Sequence, residues 1–383
     1  MKYYFTQTEA STLFQKNDFG RYLAFSLSES NIDLQQIIKI NAFTTAITNE
    51  EWEKANFAFK QNLEFIFDNG CPAHCLVAQP STIDSLINIE IIYMDDLSQS
   101  SIFHKQYQEH CYTLVQKDDE KILFSGGITF PSSDQFLLSV QKAFDFAEQL
   151  LDHEKMGFSN IVRQWNYIEN LLGYEKQANQ QLQRYQIFNE VRSFYYDPAI
   201  FKHGFPAATG IGCESAGITI DYIAGSNLTT SPIKSPIQQD AYKYTENVLE
   251  GDPLNTTNKR PPFFERALYS TILDQDTIFI SGTAAIAGEE TLESADISDQ
   301  TTHTIDNIKA LITQTNFQAN GIKGEAHHIF DMVRVYIKNE MDANVVEQLV
   351  KELLPADNYT FVLADVCRDN LLVEIEGIVS LNS

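Results

Sequence analysis

The sequence has few basic residues, few cysteines and no long apolar run. Its 383 residues include 27 Lys and Arg against 52 Asp and Glu, which gives a formal net charge of −25. Such a charge repels nucleic-acid phosphate and anionic membranes, and no basic run reverses it locally. We therefore expect neither nucleic acid nor a membrane as a partner. A small anionic substrate requires a site that supplies its own arginines.

An odd number of cysteines is scattered along the chain: Cys71, Cys75, Cys111, Cys213 and Cys367. The amino terminus, MKYYFTQTEAST, lacks the apolar core of a signal peptide, and no apolar stretch approaches the ~20 residues of a membrane helix. We therefore predict a cytoplasmic protein with reduced thiols. Two of the cysteines flank His74 in C-P-A-H-C, but one cysteine pair is incomplete for zinc. We expect an ordinary loop there, no metal and no other cofactor.

Two stretches of the chain share one pattern. Phe279–Gly288 (FISGTAAIAG) and Leu123–Ile128 (LFSGGI) each begin as an apolar run typical of a strand and break at Ser-Gly. An amphipathic helix is predicted after each, over His303–Thr313 and over Ser139–Leu151, and a Val-Arg strand follows each helix. The Ser-Gly pairs lie about 156 residues apart, so we predict an internal repeat of a βαβ unit.

These elements indicate a fold of the α+β or mixed α/β class, with two tandem domains that are each a mixed sheet with helices packed on one face. We place the boundary after residue 160, with residues 1–160 as a degenerate copy and 161–383 as the working copy. Residues 1–100 look mostly β, with apolar runs such as Tyr22–Leu27 and one helix near Glu50–Gln61. The second copy is favoured as functional because arginines and a terminal glutamate accompany FISGTAAIAG.

The chain closes with two apolar runs in Phe361–Val379, FVLADVCRDNLLVEIEGIV. In a regular strand Leu372, Glu374 and Glu376 share one face. A glutamate in this apolar setting is either solvent-facing on an edge strand or buried with a raised pKa. A buried one is a proton donor near neutral pH. The stretch alone leaves both interpretations open.

Two further segments carry candidate binding residues. On a predicted helix, Arg192 shares one face with Arg184, which suits either a solvated surface or an anion site. The loop at residues 227–262 is longer than compact domains usually carry and holds Tyr242 and Tyr244. Loops of this length are usually functional or disordered.

The order of these motifs resembles the chorismatase family, whose chains carry two domains similar to the Rid (YjgF-like, chorismate-mutase-like) fold. The resemblance covers about residues 160–377. It rests on seven motifs in the expected order: RQWNYI, RYQIFNEVR, FPAATGIG, PPFFERA, FISGTAAI, MVRVYIK and VCRDNLLVEIEG. Any one of them is weak, whereas seven in order are specific.

The resemblance implies cleavage of the enolpyruvyl ether of chorismate, a small dicarboxylate, to pyruvate and a cyclic product. Protonation of the ether's methylene carbon gives an oxocarbenium ion that water or a neighbouring hydroxyl captures. Glu374 matches the family's acid. The substrate-binding positions that the resemblance implies are Arg192, Tyr244, Arg266, Gly282, Ala284, Ala285 and Arg334. The arginines suit the substrate carboxylates, and the small residues leave room for the ring. If the match of this loop to the family is shifted by two residues, Tyr242 takes the place of Tyr244.

The family divides by product, which is a dihydroxycyclohexadienoate after hydrolysis or 3-hydroxybenzoate after intramolecular capture. In the second branch a cysteine stands seven residues before the acid, as Cys367 stands before Glu374. We therefore expect the hydroxybenzoate-forming type, with Cys367 as a second catalytic residue. Residues seven apart on an unbroken strand point to opposite faces, so this hypothesis requires a bend at Arg368–Asn370.

Two other functions stay open from the sequence. One is an imine deaminase like the single-domain Rid proteins, in which an arginine near the carboxy-terminal strand binds a substrate carboxylate. Arg368 resembles that arginine, although its spacing to Glu376 is short. The other is a non-catalytic protein that binds a small carboxylate. Single-domain Rid proteins form trimers with sites between subunits, so we expect either internal versions of those contacts or a homo-oligomer, trimer-like association included.

Overall fold

The structure, a computed structural model, describes residues 1–383 except 16, 69, 84, 133–134, 178–179, 250–258, 293–295 and 383. The described residues form three units, each with helices packed on one face of a sheet. Unit 1 spans residues 2–93, unit 2 spans 101–226 and unit 3 spans 229–382. The mixed α/β class predicted from the sequence is therefore confirmed.

Unit 1 is a four-stranded sheet with two helices in its described part. Its elements are β1 (Lys2–Glu9), α1 (Asp18–Glu29), β2 (Ile37–Thr44), α2 (Asn49–Ile66), β3 (Ala73–Ala78) and β4 (Leu86–Tyr93). The sheet order is β1-β4-β2-β3, with β2 and β3 parallel. A capping box starts α2, because Thr48 Oγ1 accepts from the Glu51 amide and the Glu51 carboxylate accepts from the Thr48 amide.

Unit 2 begins before the predicted boundary at residue 160 and ends after it. Its elements are β5 (Ser101–Tyr107), β6 (His110–Lys117), β7 (Glu120–Phe124), β8 (Ile128–Phe130), α3 (Phe136–His153), β9 (Ile161–Glu169), β10 (Tyr174–Gln177), β11 (Gln180–Gln183), α4 (Arg184–Tyr195), β12 (Ala207–Cys213) and β13 (Ile218–Ser226). The main sheet has the order β5-β6-β7-β13-β9-β12. Because β13 pairs with β7 on one side and β9 on the other, a division after residue 160 would cut this sheet in two.

Unit 3 repeats this arrangement. Its elements are β14 (Thr229–Ile233), β15 (Ala267–Ile272), β16 (Gln275–Thr283), β17 (Ile286–Ala287), β18 (Glu290–Thr291), α5 (Ile297–Leu311), α6 (Gln314–Ala319), β19 (Glu325–Ala326), β20 (Met332–Ile337), α7 (Ala343–Leu353), β21 (Tyr359–Leu363) and β22 (Val373–Asn382). The main sheet order is β14-β15-β16-β22-β20-β21. Strand for strand this order matches that of unit 2.

The structure contains the predicted repeat and adds a third copy. LFSGGI begins with the last two residues of β7, and FISGTAAIAG begins in the middle of β16. Each leads into a helix, α3 or α5, and then into a Val-Arg strand, β9 or β20. The order β1-β4-β2-β3 of unit 1 equals the last four positions of the other two sheets. Unit 1 was not predicted as a copy, because β1 has no Ser-Gly break and the apolar run Tyr22–Leu27 lies on α1 rather than on a strand.

All three units contribute to one central core. Aromatic side chains from each of them, Phe43, Trp165 and Tyr336, belong to the same buried apolar cluster. Three buried ion pairs each join one unit to the next: Lys39 to Asp221, Arg163 to Glu376 and Arg334 to Glu90. Removing one partner of such a pair leaves an uncompensated buried charge, so this ring of ion pairs fixes the three units against one another.

No helix in the described part of the chain is both long and apolar enough to cross a membrane.

Candidate active site

A cavity of about 700 Å³, including its open mouth, lies between unit 2 and unit 3. Unit 2 contributes α4 and β12, and unit 3 contributes the end of β16 and the start of β22. The two units meet closely here, because the Ala208 amide donates to Ser281 Oγ at 2.9 Å and the Gly282 amide donates to Thr209 Oγ1 at 3.0 Å. The Ser-Gly break of FISGTAAIAG is therefore the point at which β16 approaches β12.

Glu374 lies in this cavity on β22, and the residue is 5% exposed. Its Oε1 lies directly over Gly282, where an added Cβ would come within 1.9 Å of that oxygen. Burial raises the pKa of the carboxyl group to about 8, the charge of Glu376 adds to this, and the positive charges of Arg163 and Arg266 oppose it. Glu374 is thus a protonated carboxylic acid at neutral pH, as the buried alternative requires.

Glu376, two residues further along β22, has the opposite environment. Burial favours its neutral form, but the charges of Arg163 and Arg334 and the hydrogen bonds from Thr209 and Trp165 hold its pKa below the ordinary value. The indole Nε1–H donates to Oε1 at 2.7 Å, and each arginine donates to one carboxylate oxygen, at 2.6 and 2.8 Å. Two neighbouring carboxyl groups therefore exist in different protonation states, which separates an acid from a fixed negative charge.

Two arginines line the cavity. Arg266, just before β15, donates from Nε and Nη2 to the Gln239 carbonyl at 3.1 and 2.9 Å, and Nη2 also donates to the Tyr244 hydroxyl. Arg368 donates from Nη1 to the Glu289 carbonyl at 2.9 Å. Both guanidinium carbons lie over the Tyr244 ring, at 5.4 and 5.5 Å from its centroid. When Glu374 is protonated, the charged groups among the described lining residues are these two arginines. The cavity is therefore positively charged, although the protein as a whole is acidic.

The structure places Tyr244 rather than Tyr242 at the cavity. The Tyr242 hydroxyl accepts from Lys234 Nζ at 2.6 Å and donates to Asp240 at 3.0 Å. Its ring packs against Phe205, with the two centroids 5.2 Å apart. Tyr242 therefore contributes to the core next to the site, and Tyr244 is the member of this pair that lines the cavity.

The bend that the cysteine hypothesis requires is present. Between β21 and β22 the Leu371 amide donates to the Arg368 carbonyl at 3.1 Å, which closes a turn. Cys367 and Glu374 consequently line the same cavity. Burial, and then the charge of Glu374, raise the pKa of Cys367 to about 12, so the thiol is neutral at physiological pH.

Gly282 and Ala284 line the cavity as predicted, whereas three other predicted binding residues do not. Arg334 is 1% exposed, and both of its carboxylate partners belong to the central network. Arg192 is 2% exposed on the buried side of α4 and donates to Asn189 Oδ1 at 3.1 Å. Ala285 is fully buried. The motifs identified these positions, but they did not indicate which side of a sheet or helix faces the cavity.

Some lining residues were not predicted. Tyr185, Gln186 and Asn189 face the cavity from α4, and the Tyr185 ring packs on Gly210, where an added Cβ would lie 3.0 Å from Cε2. The i, i+4 spacing of Tyr185 and Asn189 was a usable signal, but the prediction chose the neighbouring face that contains Arg192. Arg368 was considered for the imine deaminase alone. Within the described residues, no cluster of three or more His, Cys, Asp or Glu side chains is placed to hold a metal ion.

Family models match the two units that enclose the cavity. The family model "Chorismatase FkbO/Hyg5-like, N-terminal" matches residues 100–224, which is nearly all of unit 2. The family model "Endoribonuclease L-PSP" matches residues 262–381, which covers the strands and helices of unit 3 after β14. The two models therefore meet at the interface that holds the cavity.

Named relatives cover much of the chain. A 3-hydroxybenzoate synthase from Streptomyces hygroscopicus is 29% identical over 269 residues, which is 68% of this chain and 74% of that protein. A chorismatase from Streptomyces rapamycinicus is 30% identical over 230 residues, 59% of this chain and 65% of that protein. The chain thus carries a chorismatase-type domain in unit 2 and is similar to the named 3-hydroxybenzoate synthase and chorismatase over 68% and 59% of its length. The resemblance inferred from the seven motifs is confirmed.

The fold agrees with this similarity. A crystal structure of a chorismatase covers 98% of this chain, and this chain covers 98% of it, with a TM-score of 0.66 at 20% sequence identity. At this identity the likeness concerns the fold alone. It extends over unit 1 as well, where the sequence motifs gave little resemblance to the chorismatase family.

Proposed function

We propose that this protein cleaves the enolpyruvyl ether of chorismate and forms pyruvate and 3-hydroxybenzoate. The observation that carries the proposal is Glu374, a carboxyl group held neutral by burial in a cavity that also contains two arginines. The relatives named 3-hydroxybenzoate synthase and chorismatase support this choice of substrate and product.

Arg266 and Arg368 suit the two carboxylates of chorismate. Each guanidinium is fixed by a backbone carbonyl and also contacts the Tyr244 ring, so the donor groups are oriented before the substrate binds. A hydrogen bond to a charged group contributes about 1.5–3 kcal/mol, and bidentate pairing adds specificity for a planar carboxylate. We assign one carboxylate to each arginine.

Glu374 is the proposed acid. Protonation of the enolpyruvyl methylene carbon leaves a carboxylate at Glu374 and an oxocarbenium ion on the substrate, and these opposite charges attract each other. Arg266 lowers the pKa of this carboxyl and so stabilises the anion as it forms. Gly282 leaves the space that the carboxyl group occupies.

Cys367 is proposed to favour the hydroxybenzoate branch. Pyruvate and 3-hydroxybenzoate together contain all the atoms of chorismate, whereas the dihydroxycyclohexadienoate branch consumes a water molecule. A neutral, half-buried thiol behaves as a small apolar group. Next to the acid it keeps water from the oxocarbenium ion, so capture by the substrate's own hydroxyl is favoured.

Incubation with chorismate tests the proposal, with pyruvate measured by a coupled enzyme and the cyclic product by chromatography. The wild-type protein should release pyruvate and 3-hydroxybenzoate in equal amounts. Glu374→Gln should lower the rate by about 10²–10⁴-fold, the usual contribution of a general acid. Glu352→Gln, on the exposed surface of α7, is the matched control and should retain full activity. No turnover by the wild type, or turnover that survives Glu374→Gln, would overturn the assignment.

One observation keeps an imine deaminase as a second candidate, since Arg368, which resembles the carboxylate-binding arginine of Rid proteins, lines the cavity. The two functions differ in their products. An imine deaminase releases ammonia from an amino-acid-derived imine, and our proposal predicts ammonia at the rate of the uncatalysed reaction only. Ammonia release that requires Arg368, with no turnover of chorismate, would favour the deaminase.

We also propose a cytoplasmic location and a site that is complete within one chain. The cysteines are free thiols, which suits a reducing compartment. Both walls of the cavity come from units 2 and 3 of the same chain, so the site requires no second subunit. Activity per chain that is unchanged on dilution to a monomer in analytical ultracentrifugation would support this arrangement, and activity lost on dissociation would refute it.

A further inference from the structure

The interface between unit 1 and unit 2 holds a second cavity, in a position equivalent to that of the candidate active site. Its volume is about 510 Å³, including its open mouth. Here α2 and β3 take the places of α4 and β12, and the segment after β7, with Gly127, takes the place of the end of β16. The described residues that line it include no carboxylate, so this second cavity is suited to binding rather than to acid catalysis.

Two histidines line the second cavity, one from each unit. His74 lies on β3, not in the loop that the sequence predicted, and is 8% exposed, whereas His110 begins β6 and is half-buried. His74 Nδ1 lies 2.9 Å from the Pro72 carbonyl oxygen, and His110 Nε2 is hydrogen-bonded to the Ser125 carbonyl oxygen. Because a carbonyl oxygen only accepts, each of these two ring nitrogens carries the proton of its imidazole.

These tautomers leave a lone pair on the other nitrogen of each ring, Nε2 of His74 and Nδ1 of His110. Neither of these nitrogens has a hydrogen-bond partner among the residues that the structure describes. Burial lowers the pKa of both imidazoles to about 4, so both rings are neutral at physiological pH. The second cavity therefore presents two hydrogen-bond acceptors, which require donor groups on a ligand.

One face of α2 closes the second cavity. Trp52, Asn56 and Lys60 follow one another at intervals of four residues, so they share that face, and all three line the cavity. The Trp52 indole is 6% exposed and donates from Nε1 to the Leu76 carbonyl at 3.1 Å, which fixes a flat aromatic wall. With both histidines neutral, Lys60 is the charged side chain among the described lining residues. The second cavity thus suits a flat molecule with a single negative charge.

We propose that the second cavity binds a small aromatic carboxylate that carries hydroxyl groups. The aromatic ring packs against Trp52, the carboxylate pairs with Lys60, and the hydroxyl groups donate to the free nitrogens of His74 and His110. The volume lies within the roughly 300–1,000 Å³ of small-molecule sites. 3-Hydroxybenzoate, the product of the proposed cleavage, belongs to this class of ligand, but binding here does not depend on its being made by this protein.

Isothermal titration calorimetry with two matched ligands tests the proposal on the wild-type protein. The probe is 3,5-dihydroxybenzoate, and the comparison ligand is 3,5-difluorobenzoate, which keeps the ring and the carboxylate but has no hydroxyl donors. The dihydroxy ligand should bind about tenfold or more tightly, because its hydroxyl groups satisfy the two imidazole nitrogens. Absence of binding at millimolar concentrations, or equal affinity for the two ligands, would overturn the proposal whether or not any variant folds.

Three variants place the ligand. Lys60→Met should weaken binding of 3,5-dihydroxybenzoate about fivefold or more, because the partner of the carboxylate is lost. Lys54→Met is the matched control, since Lys54 is also exposed on α2 but does not line the second cavity, and it should bind as the wild type does. Arg368→Met changes the candidate active site and should keep the wild-type affinity. Affinity unchanged in Lys60→Met, or lost in Arg368→Met, would overturn the proposal. No chorismate is used, so the result is separate from that for the proposed function.

Discussion

Replacing Glu374 with glutamine is expected to stabilise the protein at neutral pH while it removes the proposed acid. Glutamine has nearly the size of a protonated glutamic acid and carries no charge, so the buried position over Gly282 is preserved. In the wild type the folded protein holds a proton on this carboxyl group, whereas the unfolded chain releases it above its ordinary pKa of 4.5. Rising pH therefore favours the unfolded wild type and does not affect the variant at this position.

The raised pKa sets the size of the effect. The folded-state pKa of Glu374 is about 8. Its contribution to stability is therefore complete below pH 4.5 and is lost as the pH rises from 4.5 to about 8. One unit of pH corresponds to about 1.4 kcal/mol, so the interval from about pH 5 to about pH 7.5 lowers the free energy of unfolding by about 3 kcal/mol. That is a large part of the roughly 5–15 kcal/mol by which a folded domain is stable.

Urea unfolding of the wild type and of Glu374→Gln, at about pH 5 and about pH 7.5, measures this effect. For each protein the change in the free energy of unfolding between the two pH values is determined, and the two changes are then compared. Other groups with altered pKa values, such as His74 and His110, whose pKa burial lowers to about 4, are present in both proteins and cancel. Glu352→Gln should keep the pH dependence of the wild type. If Glu374→Gln and the wild type lose stability in parallel between these pH values, Glu374 does not retain its proton, and the argument for a neutral acid is refuted.

Three other substitutions separate the roles of the site residues. Gly282→Ala places a Cβ within 1.9 Å of the Glu374 carboxyl, so kcat for pyruvate release should fall by more than tenfold, and unchanged kinetics would contradict the close contact. Arg266→Lys should raise KM for chorismate about tenfold or more while the fold is retained, since one charged, bidentate partner is lost, and an unchanged KM would remove Arg266 from the binding site. Arg334→Met should lower the free energy of unfolding by about 3–5 kcal/mol, because buried Glu90 loses its ion-pair partner and Glu376 loses one of two. A stable variant with only a raised KM would return Arg334 to substrate binding.

The acid and the repeat could be predicted because they depend on local sequence. The alternation in LLVEIEG placed Glu374 and Glu376 on one face of a strand, and Ser-Gly marked the end of the same strand in two copies. What distinguishes the two glutamates is not local. Glu376 is ionised through contacts with Arg163, Trp165 and Arg334, which are between 42 and 213 positions away in the chain.

Unit 1 and the domain boundary were missed for a related reason. The strand that completes each core sheet comes last in the unit and inserts between two earlier strands, as β13 does between β7 and β9. A boundary placed just before the Val-Arg strand β9 therefore divided a sheet. In the same way, sequence position alone did not show that Arg334 faces the central ring of ion pairs rather than the cavity.

The pH dependence of kcat/KM for pyruvate release from chorismate tests the central claim most directly, since it reports the ionisation of the free enzyme. A neutral Glu374 acting as the acid predicts a constant value at lower pH and a tenfold fall per unit of pH above about 8. Burial and neighbouring charges raise the pKa of Tyr185 and of Cys367, the latter to about 12, so neither produces that limb. An active enzyme whose kcat/KM stays constant to about pH 10 would contradict the account.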